Sequence, residues 1–183
     1  IKSKILGETG SEEIPRQFID EIINDLKYYF NSNIYKEIKK AENYKNEFEI
    51  YAAEDENYLF GIIDKLIIED KQIVIADYKT DKIETDEIKE RAQSYEKQLK
   101  FYAYLVSKKY PEAENFALKL IFIKHPDNYW EQNLNKKEVK DFGREIGEII
   151  GKINNNIFPA NIIHCAKCYF AGKDKKCIYK AGI

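Results

Sequence analysis

Three side chains set the chemistry this sequence could perform: Asp64, Asp77 and Lys79, carried by the runs Gly61-Ile62-Ile63-Asp64 and Asp77-Tyr78-Lys79-Thr80. Residues 58–68 and 72–78 are mostly β-branched or aromatic, and the polar cluster Glu69-Asp70-Lys71-Gln72 between them is a hairpin signal. A turn centred between Asp70 and Lys71 puts Asp64 directly opposite Asp77. Opposed side chains on one face of an antiparallel pair have Cβ atoms roughly 5 Å apart, and the strand period puts Lys79 on the face of Asp77. Two ionised carboxylates that close in an apolar strand pair repel, so they must share a proton or hold a cation. Hard oxygen ligands suit Mg²⁺ or Mn²⁺. A lysine one step along can orient or deprotonate a water, or offset charge on a phosphate. The competing reading is an edge hairpin with solvated acids and a surface Asp77–Lys79 pair. Ile62, Ile63, Leu66, Ile67, Ile68, Ile73, Val74, Ile75 and Ala76 weigh against it, because they leave little room for a solvated face.

Other elements must hold that hairpin. From Ser11, a candidate N-cap, through Pro15, the residues Ile14, Phe18, Ile19, Ile22, Ile23, Leu26, Tyr29 and Phe30 recur at helical spacing and predict a core-facing helix. Asp20 and Glu21 on it are expected to face solvent. Asn31-Ser32-Asn33 breaks it, and Ile34, Tyr35, Ile38 and Ala41 predict a short second helix ending near Asn43. Residues 45–53 alternate, Phe48, Ile50 and Ala52 against Glu47, Glu49 and Tyr51, which predicts a strand turning at Asp55-Glu56-Asn57 into the Asp64 strand. After a polar loop, residues 84–109 read as one long helix in which Tyr95, Gln98 and Tyr102 share a face. Residues 116–124 predict a further strand, and His125-Pro126-Asp127-Asn128 a turn with His125 at the surface. Residues 136–153 predict a helix burying Val139, Phe142, Ile146, Ile149, Ile150 and Ile153.

Taken with Tyr95-Glu96-Lys97-Gln98-Leu99-Lys100-Phe101-Tyr102, the acid-bearing runs resemble the RecB-type nuclease domain of the PD-(D/E)XK superfamily, in particular the C-terminal nuclease of AddA-like helicase-nucleases. The resemblance extends from about Glu47 to Lys109 and is weaker in the flanks. It implies an α/β, restriction-endonuclease-like core: a central mixed sheet flanked by helices, with a helical N-terminal part. It also implies metal-dependent hydrolysis of DNA, expected to be exonucleolytic, in the processing of double-strand breaks for recombinational repair. Carried over residue by residue, Asp64, Asp77 and the Tyr78 backbone carbonyl bind Mg²⁺ or Mn²⁺, and Lys79 assists the attacking water. Gln98 and Tyr102, with Tyr95 beside them, contact DNA. Glu47 resembles the acid that many members carry here and is a further candidate ligand.

The family usually supplies a metal-ligating histidine from a helix upstream of the first strand. The chain's two histidines, His125 and His164, come too late to match it. The first residue is not Met, so the expectation is a piece cut from a longer protein. The partners implied are DNA, as a single strand or a duplex end, a helicase region of the same chain and a second helicase-nuclease subunit. No Walker motif lies in these residues. The alternatives are a stand-alone nuclease of the CRISPR-adaptation type and a catalytically silent nuclease-like domain used for DNA binding or scaffolding.

With 183 residues, 44% hydrophobic and 34% charged, the chain can build one sizeable core. A single nuclease domain is expected, with a helical part over 1–44, a catalytic core over 45–130 and a C-terminal helix and cysteine tail over 131–183. A net charge of −2 and a pI near 5.9 supply no global basic field. That counts against a free-standing DNA-binding module and less against a nuclease handed its strand by a larger assembly. The absence of a signal peptide or long apolar run points to a cytoplasmic protein with no membrane partner. All three cysteines lie in the tail, Cys165-x-x-Cys168 and Cys177. Such clustering in a cytosolic chain favours metal over disulfides. It resembles the C-terminal triplet of iron–sulfur members of this nuclease group, whose fourth cysteine lies upstream of the core. A [4Fe-4S] cluster in the full-length protein, zinc with His164 as fourth ligand, and reduced thiols stay open as readings.

Overall fold

The acid-bearing hairpin forms the middle of a five-stranded sheet whose strands lie side by side in chain order. The computed structural model describes residues 16–158. Helices α1 (Arg16–Asn31) and α2 (Asn33–Lys39) lead into strands β1 (Tyr44–Glu54), β2 (Asn57–Glu69) and β3 (Gln72–Lys79). Helix α3 (Ile88–Lys109) crosses to β4 (Asn115–Phe122), which is followed by β5 (Trp130–Asn135) and α4 (Lys136–Asn154). The β3–β4 pair is parallel and the other pairs are antiparallel. Only a parallel pair needs a crossover, and α3 provides it. The chain divides into two compact units with their boundary between Arg144 and Glu145, inside α4.

β3 is buried from Ile73 to Asp77, as its unbroken apolar run requires of a strand covered on both sides. The β2–β3 register pairs Lys65 with Ala76, Leu66 with Ile75 and Glu69 with Gln72, which is the register expected from a turn at Asp70-Lys71. Asp70 takes a left-handed φ of 43°, a conformation that short polar side chains tolerate. On one face of the sheet Tyr29, Ile34 and Ile38 pack against Ile67, Val74, Ala76, Ala117 and Ile121. Helix α3 covers the other face, burying Leu99, Ala103, Leu105 and Val106. Asp127 holds the start of α2, its Oδ1 accepting from the amides of Asn33 (2.8 Å) and Ile34 (3.0 Å).

Several expectations are corrected. Helix α1 turns its stripe to the core only in part: Ile19 and Tyr29 are buried, Ile22, Ile23 and Leu26 are half-buried, and Phe18 and Phe30 are each 46% exposed. Ser11, Ile14 and Pro15 lie outside the described residues. In α4, Val139 and Ile146 are buried whereas Ile149 and Ile153 are about half exposed. β5 was not anticipated, because Trp130-Glu131-Gln132-Asn133-Leu134-Asn135 offers no clean alternation. His125 is half-buried: its Nε2 donates to the Ile83 carbonyl at 2.9 Å, which leaves Nδ1 facing Thr85 Oγ1 at 3.4 Å, and the ring pins the loop after β3.

Gly143 gives a direct test of packing between α4 and α3. A Cβ there would fall on the buried ring of Tyr104, whose hydroxyl donates to Glu54 Oε2 at 2.5 Å and so holds the ring in place. Gly143→Ala should therefore lower stability by about 1–3 kcal/mol. Gly147→Ala meets no atom of the described residues within 4 Å and should raise it by about 0.5–1 kcal/mol through helix propensity. Urea denaturation midpoints of the two variants check the opposite signs.

Candidate active site

The acids stand where β2 and β3 part. Their ladder ends at Lys65 and Ala76. Beyond it β2 continues to Asn57 on β1 alone, while Asp77, Tyr78 and Lys79 pair only with Leu120, Ile121 and Phe122 of β4. The result is a V-shaped opening in the sheet with Asp64 and Asp77 at its apex. One Asp64 oxygen replaces a ladder carbonyl, Oδ2 accepting from the Tyr78 amide at 2.8 Å. In an extended strand the amide and carbonyl of one residue point to the same side. The Tyr78 carbonyl is thereby aimed into the same opening.

Asp64 is unpaired toward β1 as well. The β1–β2 ladder passes from Asn46–Lys65 to Phe48–Ile63 and skips Glu47, whose φ is 45°. The register is the same on both sides of the gap, and what changes across it is the face to which the side chains point. Lys65 lies over the Tyr44 ring on the α1–α2 face, yet Gly61, an even number of residues away, meets Leu105 and Tyr102 of α3 at 3.0 Å from its would-be Cβ. Such an irregularity re-aims side chains beside a site.

Asp77 is 3% exposed. Burial pushes its carboxyl above the ordinary range; the Lys79 ammonium, 2.5 Å from Oδ2, pulls it back, and the Asp64 charge adds to the rise. The Lys79 contact is an ion pair off the direction of a hydrogen bond, so that buried oxygen has no directed donor. Lys79 Nζ also lies 3.4 Å from Gln98 Oε1 and 4.4 Å from the centroid of the Tyr95 ring. Gln98 Nε2 in turn donates to the Tyr102 hydroxyl at 2.8 Å. Burial, with the Asp77 and Asp64 charges behind it, raises the Tyr102 phenol above its usual value.

Asp64, Asp77, Lys79, Gln98, Tyr95 and Tyr102 are thus brought together. Tyr102 is 8% exposed beneath Gly61, so it can offer its hydroxyl to the site and has no ring face for a base. Glu47 is exposed, and among the described residues no group of three or more His, Cys, Asp or Glu side chains is placed to hold a metal ion. Cys165, Cys168, Cys177 and His164 lie outside the described residues. Sequence reasoning missed two participants, Asp81 and Arg91. Asp81 accepts from the Tyr95 hydroxyl (3.0 and 3.1 Å) and from Arg91 Nε (2.6 Å), and this pair fixes the ring against which Lys79 rests. The available signal was Arg91 one helical turn before Tyr95. The two acids and the carbonyl are hard oxygen donors, and one of them is a buried carboxylate oxygen without a directed donor; that set fits a divalent cation.

Residues 8–172 match the PD-(D/E)XK nuclease superfamily. The chain belongs to that superfamily. Asp77-Tyr78-Lys79 has the form of the second half of the motif that names it, and Asp64 follows Ile63 and not a proline. The chain is similar to an ATP-dependent helicase/nuclease protein of Clostridioides difficile (strain 630), 34% identical over 130 residues, with 58% of this chain and 10% of that protein covered. It therefore spans about a tenth of that relative's length. Its fold is similar to a solved candidate exonuclease from Eubacterium rectale, with a TM-score of 0.51 at 14% identity, covering 96% of this chain and 70% of the other. The mixed sheet flanked by helices is the restriction-endonuclease-like core of PD-(D/E)XK nucleases, which generally use divalent metals.

Proposed function

We propose that this PD-(D/E)XK domain is a Mg²⁺- or Mn²⁺-dependent deoxyribonuclease, acting as the exonuclease module of a helicase-nuclease that processes double-strand breaks in recombinational repair. The observation that carries the reading is the convergence of Asp64, Asp77 and Lys79 on the apex where β2 and β3 separate. The similarity to a helicase/nuclease protein supports the helicase context. Asp64, Asp77 and the Tyr78 carbonyl would hold the cation. When bound, such an ion polarises a phosphate and lowers the pKa of a water. Lys79 would orient that water or offset charge on a phosphate oxygen. Gln98, bonded at one end to Lys79 and at the other to Tyr102, keeps the ammonium in register with the acids. Among the described residues no helix is long and apolar enough to cross a membrane. A cytoplasmic setting with DNA as substrate accords with the reading.

The test is cleavage of end-labelled DNA by the native protein with Mg²⁺ and with EDTA. Cleavage is expected only with metal. Gln98→Ala and Tyr102→Phe should each slow it roughly 10- to 100-fold through misplacement of Lys79, with the Mg²⁺ concentration for half-maximal rate unchanged. A shifted metal requirement would put the α3 side chains in the metal's own shell, and metal-independent cleavage would overturn the reading.

A further inference from the structure

On the sheet face opposite α3, helices α1 and α2 and strand β1 frame an open groove of about 520 Å³. Phe30, Tyr35, Tyr44 and Tyr78 wall it, with Lys39 and Lys65 between the rings and no acidic residue in the lining among the described residues. Phe30 and Tyr44 are 46% and 47% exposed. Neither lysine pairs with a carboxylate among the described residues. Each ammonium lies over a ring instead, Lys65 3.4 Å from the Tyr44 centroid and Lys39 5.9 Å from that of Tyr35. In a chain of net charge −2, this is a local cluster of positive charge, unbalanced among the described residues and interleaved with aromatic faces.

We propose that this groove binds a single strand of nucleic acid and leads it to the acids. Bases would stack on Phe30 and Tyr44, and the backbone phosphates would pair with Lys39 and Lys65. Every base has a π-face, so stacking platforms beside cations take single strands with little regard to sequence. A duplex keeps those faces inside and offers the rings nothing. A protein partner fits less well, because lysine is depleted at the core of protein interfaces. Two residues of its lining are chain neighbours of the acids, Lys65 following Asp64 and Tyr78 following Asp77, and the β2–β3 ladder ends at Lys65 and Ala76. The proposal rests on the nuclease reading for the fate of the strand and not for its binding.

The experiment is fluorescence anisotropy in EDTA, with the full chain titrated into labelled oligothymidylate and, separately, into a blunt duplex. The single strand should bind more tightly. Phe30→Ala and Tyr44→Ala should each weaken it about tenfold, with Tyr44→Trp retaining affinity and melting curves confirming that all variants are folded. Lys39→Ala should reduce the slope of log affinity against log salt by about 0.7. Unchanged single-strand affinity in both alanine variants, or equal binding of the duplex, overturns the proposal. Addition of Mg²⁺ to the same samples reads the nuclease separately. Cleavage by the native protein with unchanged affinity in the variants rejects the groove alone. Affinity lost as expected, with no cleavage even by the native protein, leaves the groove standing and rejects the nuclease.

Discussion

Asp77→Asn should abolish metal-dependent cleavage, by at least about 10³-fold, and should leave the metal-free variant as stable as the parent at neutral pH or more so. Both halves follow from one fact, a carboxylate 3% exposed at the apex of the opening. As the proposed ligand it would have no substitute in asparagine, since an amide oxygen carries no charge to hold a hard cation. As a buried charge it is a burden on the empty fold, because its pKa is raised by burial even after the attraction of Lys79 is counted. The folded protein therefore holds this proton more tightly than the unfolded chain does. Its contribution is most favourable below the ordinary carboxylate range and is lost as pH rises through the raised folded value. At neutral pH the parent carries that penalty and the asparagine variant does not. Urea midpoints in EDTA from pH 4 to pH 8 should show the two proteins converging at the acid end and the variant ahead at the neutral end. Residual cleavage, or a variant less stable at neutral pH, would mean that Asp77 is held by partners other than those described.

The register of the hairpin was legible because two adjacent apolar runs joined by Asp70-Lys71 admit one pairing that keeps both buried; that register holds from Glu69–Gln72 to Lys65–Ala76, and the ladder stops one pair short of Asp64 and Asp77. The break in the pleat at Glu47 and Asp64 was not legible, since a period-two reading assumes an unbroken pleat and nothing in Glu47 announces a left-handed φ. Helical spacing placed Tyr95, Gln98 and Tyr102 on one face, but spacing fixes direction and not depth. The burial of Tyr102 comes from Gly61, three residues before an acid on another element, where the missing side chain lets the ring approach. His125 read as a surface turn residue because its partner, the Ile83 carbonyl, belongs to a loop whose course depends on tertiary packing.

Lys79→Met separates the lysine's part in the chemistry from its part in the fold. The expected rate loss is about 10²- to 10³-fold. Metal-free stability should fall by about 3 kcal/mol above neutral pH, because the change leaves Asp77 in a buried site without its countercharge. The acid has an escape in protonation, so the loss has a sign that can be checked. With Lys79 gone the folded pKa of Asp77 rises further; stability then falls more steeply as pH rises, and the deficit disappears toward pH 4. Adding Asp77→Asn should restore most of the stability and none of the activity, a coupling expected of groups 2.5 Å apart. Calorimetric titration with Mn²⁺ gives the deciding split. Lys79 competes with a cation for Asp77 Oδ2, so Lys79→Met should bind Mn²⁺ as tightly as the parent or more tightly while turning over far more slowly. If affinity fell in step with rate, the lysine would be acting by assembling the acids, and the water-orienting role would have to be given up.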